Sequence, residues 1–471
     1  MQPIAVDDLI SAIGGVPNGL PAGNPEVTRI CIDSRQIQAG DVFWALEGNN
    51  FDGHEFVESA LQQGALLAVV EPESCSLERT IQVADTLMAF WDFAEAYRRQ
   101  FDSLIIGVTG TVGKTTTRHM IHSVLSNKFR GIESPQNFNN HFGVPLSLLQ
   151  LDDRHDFGVI EIGASQPGEI GDLTEIVHPE IGVITAIGPC HLDEFKSFEN
   201  ILRTKAELIE RIPKEGFVVL NGDDRNVRKI ADNADCSVVF VGERSRNDLV
   251  AKDIRVSNNL VQFRVDQSEF HVPATGRHHV TSALISIAIG RQIDMTDSEI
   301  QNGLNSFSAM PGRSCLRKIG PWTVIDDTYN SNPVSMSAAC RTLQDMTTEG
   351  KRILLTGDML ALGEWSEDFH HLLGEEVTRA KIDRVIAIGS QAASVAGSAR
   401  QHGMDAGCLG IARDQEIAMM LLNLWLEPND VVLVKGSRGT RMETFLPRLE
   451  QLAEEIPQMK TNFETSTRKV A

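Results

Sequence analysis

The chain has no C-x-x-C pair. Its seven cysteines (Cys31, Cys75, Cys190, Cys236, Cys315, Cys340 and Cys408) are scattered, which argues against a zinc site or a disulfide framework and leaves them as small core residues. It also lacks any run approaching the ~18 consecutive apolar residues of a membrane-spanning helix. The opening stretch MQPIAVDDLISAIGG carries acidic residues and no long apolar run, so a cytoplasmic protein without membrane insertion is expected. Positive charge is scarce as well: 43 Lys and Arg stand against 64 Asp and Glu, a net charge of -21. Nucleic acids and anionic membranes are bound through excess Lys and Arg, so neither is an expected partner. An anionic substrate has to be met by local basic pockets. Internal repeats and low-complexity tracts are also absent.

A length of 471 residues fits about three domains of ~100 to 200 residues, or two large ones, and sets no limit on core burial. The texture divides the chain at 1–100, 101–312, 313–458 and a tail at 459–471 that ends in KTNFETSTRKVA and is expected to fray. The first stretch predicts strands at 30–33, 41–46 and 66–70 and a helix at 56–63. The second predicts buried strands at 104–109, 157–163, 181–188 and 217–224, then a helix at 279–291. After the turn MPGRS (310–314) the third predicts strands at 322–327, 352–358, 384–389 and 431–437. Continuous apolar runs separated by helical segments are the pattern of parallel sheets. The expected fold is α/β with three domains: a small N-terminal unit, a central parallel-sheet phosphate-loop domain and a C-terminal Rossmann-like domain.

The stretch 104–117, LIIGVTGTVGKTTT, carries the chemistry. An apolar, β-branched run empties into a glycine-punctuated turn ending in Gly113-Lys114-Thr115, which is how a protein holds a nucleoside triphosphate. Gly110 and Gly113 let the backbone approach phosphate oxygens, and successive N–H groups and a helix N-terminus bind anions. Lys114 supplies charge for the β and γ phosphates, and the Thr115 hydroxyl is a Mg²⁺ ligand by type. The nucleotide-contacting set is Thr109, Gly110, Thr111, Val112, Gly113, Lys114, Thr115 and Thr116. The spacing departs from G-x-x-x-x-G-K, because Val108 stands where the first glycine would be. A plain glycine-rich turn with a surface lysine would not explain the run Thr115-Thr116-Thr117. A GTPase-like switch would carry an N-K-x-D base-recognition signature, and none is present.

Sites in such sheets lie at the carboxyl ends of strands. Glu161 ends one run, His191 follows another, and Asn221-Gly222-Asp223-Asp224 follows a third. Each alone has an ordinary explanation: a surface ion pair, a satisfied loop histidine, a turn. Beside a phosphate loop they gain a joint meaning, because Mg²⁺ on ATP wants a hydroxyl and one or two oxygen ligands near the phosphates.

TGTVGKTTT, EIGASQPGEIG (161–171), HLDEF (191–195) with a downstream KAEL (205–208), and MPGR (310–313) together resemble the Mur ligases, ATP-dependent amide-forming ligases of peptidoglycan synthesis. The resemblance covers nearly the whole chain. The segment from IDSRQ to LQQGA looks like the uridine-nucleotide domain of the family's two later enzymes; the dinucleotide-type glycine fingerprint of the earlier two is absent. PQNFNNHFGVPLSLL, IDDTYNSNPVSM, LLTGDMLALGE and VLVKGSR are similar to the branch that adds D-alanyl-D-alanine. The Asp-Asn-Pro-Arg tetrapeptide of many diaminopimelate adders is missing. An adder of diaminopimelate or lysine, or a polyglutamate-forming enzyme, remains the alternative, and the uridine-type N-terminal domain counts against the last.

The resemblance implies that ATP converts a carboxylate of a UDP-muramoyl-peptide into an acyl phosphate, which the amine of D-alanyl-D-alanine attacks. It implies two Mg²⁺ ions, one at Thr115 and Glu161, the other at His191 and a carbamoylated Lys205. Read without the family, Lys205 is a solvated helix residue. Arg313, in a hinge turn, is expected to reach the phosphates as the third unit closes, while Asp327 and Tyr329 match ribose contacts. Asn137, Asn139, Asn330, Asn332, Lys435 and Ser437 fall on the substrate side, and Asn332-Pro333 also reads as a helix cap. Ser34 and Arg35 match uridine-diphosphate contacts, with a surface salt bridge as the competing reading of the arginine. In GRHHVTSAL the family carries asparagines for adenine where His279 and Ser282 stand, so nucleotide preference is open; a neutral imidazole both donates and accepts. A monomer is expected.

Overall fold

The computed structural model describes residues 1–48 and 51–455; the expected tail at 459–471 lies outside them. The N-terminal sheet orders its five strands as Val16–Asn18, Thr80–Gln82, Leu67–Val70, Val42–Trp44 and Ile30–Cys31. Its pairings are parallel apart from the edge strand Val16–Asn18. All three strands expected in this unit are shorter than expected. Asp33 leaves the sheet and accepts the Arg35 backbone N–H at 3.1 Å, and Asp41 turns aside to pair with Arg29. Helix Thr86–Arg98 covers the sheet. Trp44 packs its ring 5.1 Å from Phe90 and donates its indole N–H to the Thr86 carbonyl at 2.7 Å. The Tyr97 hydroxyl then reaches the Leu151 carbonyl at 2.6 Å and ties this unit to the next.

In the central sheet of nine strands, Leu104–Thr109 lies between Phe157–Glu161 and Ile181–Ile184. All three are apolar runs covered on both faces, which is why they read as unbroken in the sequence. The chain leaves Leu104–Thr109 for the edge strand Gly131–Glu133, returns to Phe157–Glu161, and then crosses to the other side. The strand order therefore reverses beside the phosphate loop, and a crevice opens there at the carboxyl ends. Parallel pairing continues as far as Leu249–Ser257. Beyond it the expectation of a purely parallel sheet is corrected: Leu260–Val265 and Ser268–Val272 add antiparallel pairings. Their residues alternate between buried and open, so no continuous apolar run announced them.

The third sheet orders its strands as Cys315–Ile319, Trp322–Asp327, Val431–Lys435, Arg352–Gly357, Arg384–Ile388 and Leu409–Ala412, antiparallel at the first pair and parallel thereafter. Helix Lys114–Leu125 and helix His279–Gln292 share one core, in which Met120, Ile121 and Val124 are buried with Ala283, Leu284 and Ile287. All seven cysteines are unpaired. Among the described residues no helix is long and apolar enough to cross a membrane.

Candidate active site

A cavity of about 1090 Å³ opens at the switch point, and all three units line it: Leu87 and Trp91 from the first, Thr111 to Thr117 from the second, Tyr329, Asn330 and Lys435 from the third. The phosphate loop is held from outside. Thr111 donates its N–H to the Ala186 carbonyl at 2.8 Å, and the Thr185 hydroxyl donates to the Val112 carbonyl at 2.5 Å. At Gly110 φ is +146°, and an added Cβ would run into that Thr185 hydroxyl, so the turn needs glycine. Gly113 caps helix Lys114–Leu125, whose first N–H groups face the crevice as an anion site. Lys114 Nζ donates to the Gly110 carbonyl at 2.9 Å and bends back over the loop it would serve.

Behind the loop, the buried Thr115 hydroxyl donates to Glu161 Oε2 at 2.7 Å. This is a hydroxyl and one carboxylate beside a phosphate cradle, the donor set that suits Mg²⁺ when nucleotide phosphates complete the shell. Among the described residues no cluster of three or more His, Cys, Asp or Glu side chains forms, so the protein ligands fit a metal that arrives with the nucleotide. His191 sits at φ +47° at the start of the short helix Leu192–Phe195. Partial burial holds its pKa below the ordinary imidazole value, and the charges of Lys114 and Lys205 add to this, which keeps a ring nitrogen free as a ligand.

Lys205 corrects its own sequence reading. It lies on helix Phe198–Ile209 but is 2% exposed rather than solvated. Burial lowers its pKa to about 8, with the nearby Lys114 charge adding to the shift. An ammonium is costly to bury unpaired; conversion to an anionic carbamate beside Lys114 would relieve that cost.

In the third unit, Arg313 lays its guanidinium 4.0 Å from the centre of the Tyr329 ring. Its turn is stitched to a strand end: Gly312 N–H donates to Asp326 Oδ2 at 3.1 Å and Ser314 N–H to Asp327 Oδ1 at 3.0 Å. Lys435 Nζ meets Asp327 Oδ2 at 2.7 Å and the Asn330 carbonyl at 2.8 Å. Asn332 caps helix Pro333–Asp345 reciprocally with Ser335, and proline opens the first turn.

The structure therefore brings Thr111 to Thr116, Asn139, Glu161, His191, Arg313, Asp327, Tyr329, Asn330, Asn332 and Lys435 to one cavity. Others stand apart. Thr109 and Gly110 support the loop without lining it, and the Thr109 hydroxyl donates to the Ile162 carbonyl at 2.7 Å. His279 is buried outside the cavity, its Nδ1 3.2 Å from the Gly276 carbonyl, and His278, Thr281 and Ser282 line the wall instead. Ser437 is buried, accepting the Leu360 N–H at 2.9 Å. Asn137 lies outside the lining. Ser34 and Arg35 lie outside the lining of this cavity; Arg35 pairs with Asp33 at 2.8 Å and its side chain is 86% exposed. Sequence reasoning missed Thr185, which locks the loop, and the role of Asn139 beside Glu161; neither has a local signal, since each contact joins segments far apart in the chain.

Fold and cavity together define a phosphate-loop nucleotide protein whose site is completed by a separate α/β unit. The chain belongs to the Mur ligase family. Profiles for the Mur ligase middle domain, the Mur ligase glutamate ligase domain and the Mur ligase family catalytic domain match residues 108–290, 312–438 and 26–89. The UDP-N-acetylmuramoyl-tripeptide--D-alanyl-D-alanine ligase of Bacillus subtilis (strain 168) is 32% identical over 89% of this chain and 92% of its own length. The ligase of the same name from Escherichia coli (strain K12) is 31% identical over 94% and 98%. Among solved structures, MurF from Acinetobacter baumannii superposes with a TM-score of 0.88 at 30% identity, covering 96% of this chain and 99% of that one. The MurF ligase from Thermotoga maritima in complex with ADP gives 0.79 at 28% identity, covering 91% and 98%.

Proposed function

We propose that this chain is an ADP-forming ligase that joins D-alanyl-D-alanine to UDP-N-acetylmuramoyl-tripeptide through an acyl phosphate, in peptidoglycan precursor synthesis. The observation that carries the reading is the single cavity in which the Lys114 loop and the Thr115–Glu161 pair face Asn330, Asn332 and Lys435. The names of the relatives supply the substrates.

Joining a carboxylate to an amine in water is uphill, so the carboxylate must first become electrophilic. Lys114 and the loop N–H groups hold the γ-phosphate against it, and Arg313 adds charge as that phosphate transfers. Thr115 and Glu161 would hold one Mg²⁺, His191 and a carbamoylated Lys205 a second; when bound, these ions neutralise charge between phosphate and carboxylate. Asp327 and Tyr329 hold the ribose side, while Asn330 and Asn332 offer amide groups to a zwitterionic acceptor. Lys435, tied to Asp327, orders the wall between the two. The reading extends to action as a monomer in the cytoplasm.

The test is ADP release measured against a panel of uridine-linked muramoyl peptides and amino acids. Turnover should require ATP, Mg²⁺, the tripeptide and D-alanyl-D-alanine together. Discrimination among small apolar dipeptides should be modest, since one methylene is worth ~1 to 3 kcal/mol. Turnover with free diaminopimelate or lysine and a muramoyl dipeptide, and none with D-alanyl-D-alanine, would move the chain to a neighbouring ligase of the family.

A further inference from the structure

Glu161 has both carboxylate oxygens engaged. Thr115 Oγ1 donates to Oε2 at 2.7 Å, and Asn139 Nδ2 donates to Oε1 at 2.7 Å. Its backbone N–H is held by Ser134 Oγ at 2.9 Å. An ionised carboxylate only accepts, so the Asn139 amide must turn its NH₂ toward it. Asn139 is fixed in turn: its N–H donates to the Asn137 carbonyl at 2.8 Å and its carbonyl accepts the Gly163 N–H at 2.7 Å. A side chain at Gly163 would stand 2.9 Å from Asn139 Cγ, so the asparagine is pressed against the strand that ends in Glu161.

We propose that Asn139 is a positioning residue for the metal carboxylate, in place of the substrate contact that the family resemblance implies. The torsion at the end of a glutamate side chain is broad. Without Asn139, Glu161 could swing both oxygens onto the Thr115 hydroxyl or the loop N–H groups. With it, Oε1 is held on one side and Oε2 accepts the hydrogen bond of the Thr115 hydroxyl, which leaves the threonine lone pairs directed at the nucleotide. The amide does this without charge; an acid at 2.7 Å would repel Glu161. The proposal rests on the ligase reading above only for the identity of the ligand, Mg²⁺ with ADP or ATP.

Outer partners of metal ligands change metal affinity or activity by ~10 to 100-fold when removed. Calorimetric titration of ADP into wild type and Asn139→Ala over a series of Mg²⁺ concentrations should show the Mg²⁺ needed for tight ADP binding raised ~10-fold or more in the variant. Binding of ADP without Mg²⁺ and the KM for the uridine-linked tripeptide should be unchanged. In a Glu161→Gln background the Asn139→Ala effect on Mg²⁺ dependence should vanish, which a merely structural role would not produce. Asn139→Ser, which keeps the backbone contacts and loses the amide, carries the same expectation where the alanine variant does not fold. A raised peptide KM with unaltered Mg²⁺ dependence would overturn the positioning role and return Asn139 to the substrate. Wild-type protein whose ADP binding ignored Mg²⁺ would instead overturn the ligase reading.

Discussion

Lys205 is the residue whose chemistry departs furthest from its sequence neighbourhood. Its helix alternates ordinary polar and apolar positions, and only the packing of helix Phe198–Ile209 shows that this lysine points inward. A buried amine whose pKa has fallen to about 8 has a free lone pair far more often than a surface lysine, which is what reaction with carbon dioxide needs. Lys205→Ala should lose most turnover in the ADP-release assay and regain part of it with millimolar short carboxylic acids, which enter the vacated anion site. Lys205→Met should be equally inactive and resist rescue, because its side chain fills that space. Full activity of the alanine variant with no additive would remove the carbamate from the reaction. The same limit explains His279: the sequence showed two adjacent histidines, and only the turn preceding helix His279–Gln292 decides that His278 faces the cavity. The phosphate loop was legible because its residues are contiguous. The Asn139–Glu161 contact was not, because it joins residues on separate elements.

At the scale of elements, parallel strands were read correctly wherever both faces are covered, as in Phe157–Glu161 and Val431–Lys435. Strands with open positions were missed, among them Ser237–Gly242, Leu249–Ser257, Leu260–Val265, Ser268–Val272 and Leu409–Ala412. Helix Pro333–Asp345 shows two signals agreeing. Asn332 was read both as a cap and as a substrate group, and the cap is present in full, with the Asn332 side chain accepting the Ser335 N–H at 2.9 Å. The two roles can be separated. Asn332→Ala should lower stability to urea by ~0.5 to 2 kcal/mol, the usual cost of a lost N-cap. Asn332→Asp should keep the cap and the stability but raise the KM for the acceptor dipeptide, whose carboxylate it repels. Equal stability of all three proteins would show that the cap contributes nothing to the fold.

At the scale of the whole molecule, two of the contacts that dock the third unit on the second bear on closure. The Asn258 amide pairs with both backbone groups of Thr347, donating to the carbonyl at 3.1 Å and accepting the N–H at 2.9 Å. In the other, the Leu192 N–H donates to the Ala361 carbonyl at 3.1 Å. Asn258→Ala should shift the ligand-free protein toward an open arrangement, seen as a larger radius of gyration in X-ray scattering, and raise the KM for ATP and acceptor together. Unaltered scattering and kinetics would show that the docked arrangement does not depend on this pair.

The Leu192 contact has a thermodynamic consequence. Leu192 directly follows His191, so one peptide unit belongs both to the domain contact and to the group proposed to hold the second Mg²⁺. Binding free energies that share such an element are reciprocal. If occupancy of the third unit by the acceptor tightens the nucleotide by some factor, the nucleotide must tighten the acceptor by the same factor. The two substrates are then cooperative partners in equilibrium binding, and a dead-end analogue of either one should sharpen the measured affinity of the other without touching it.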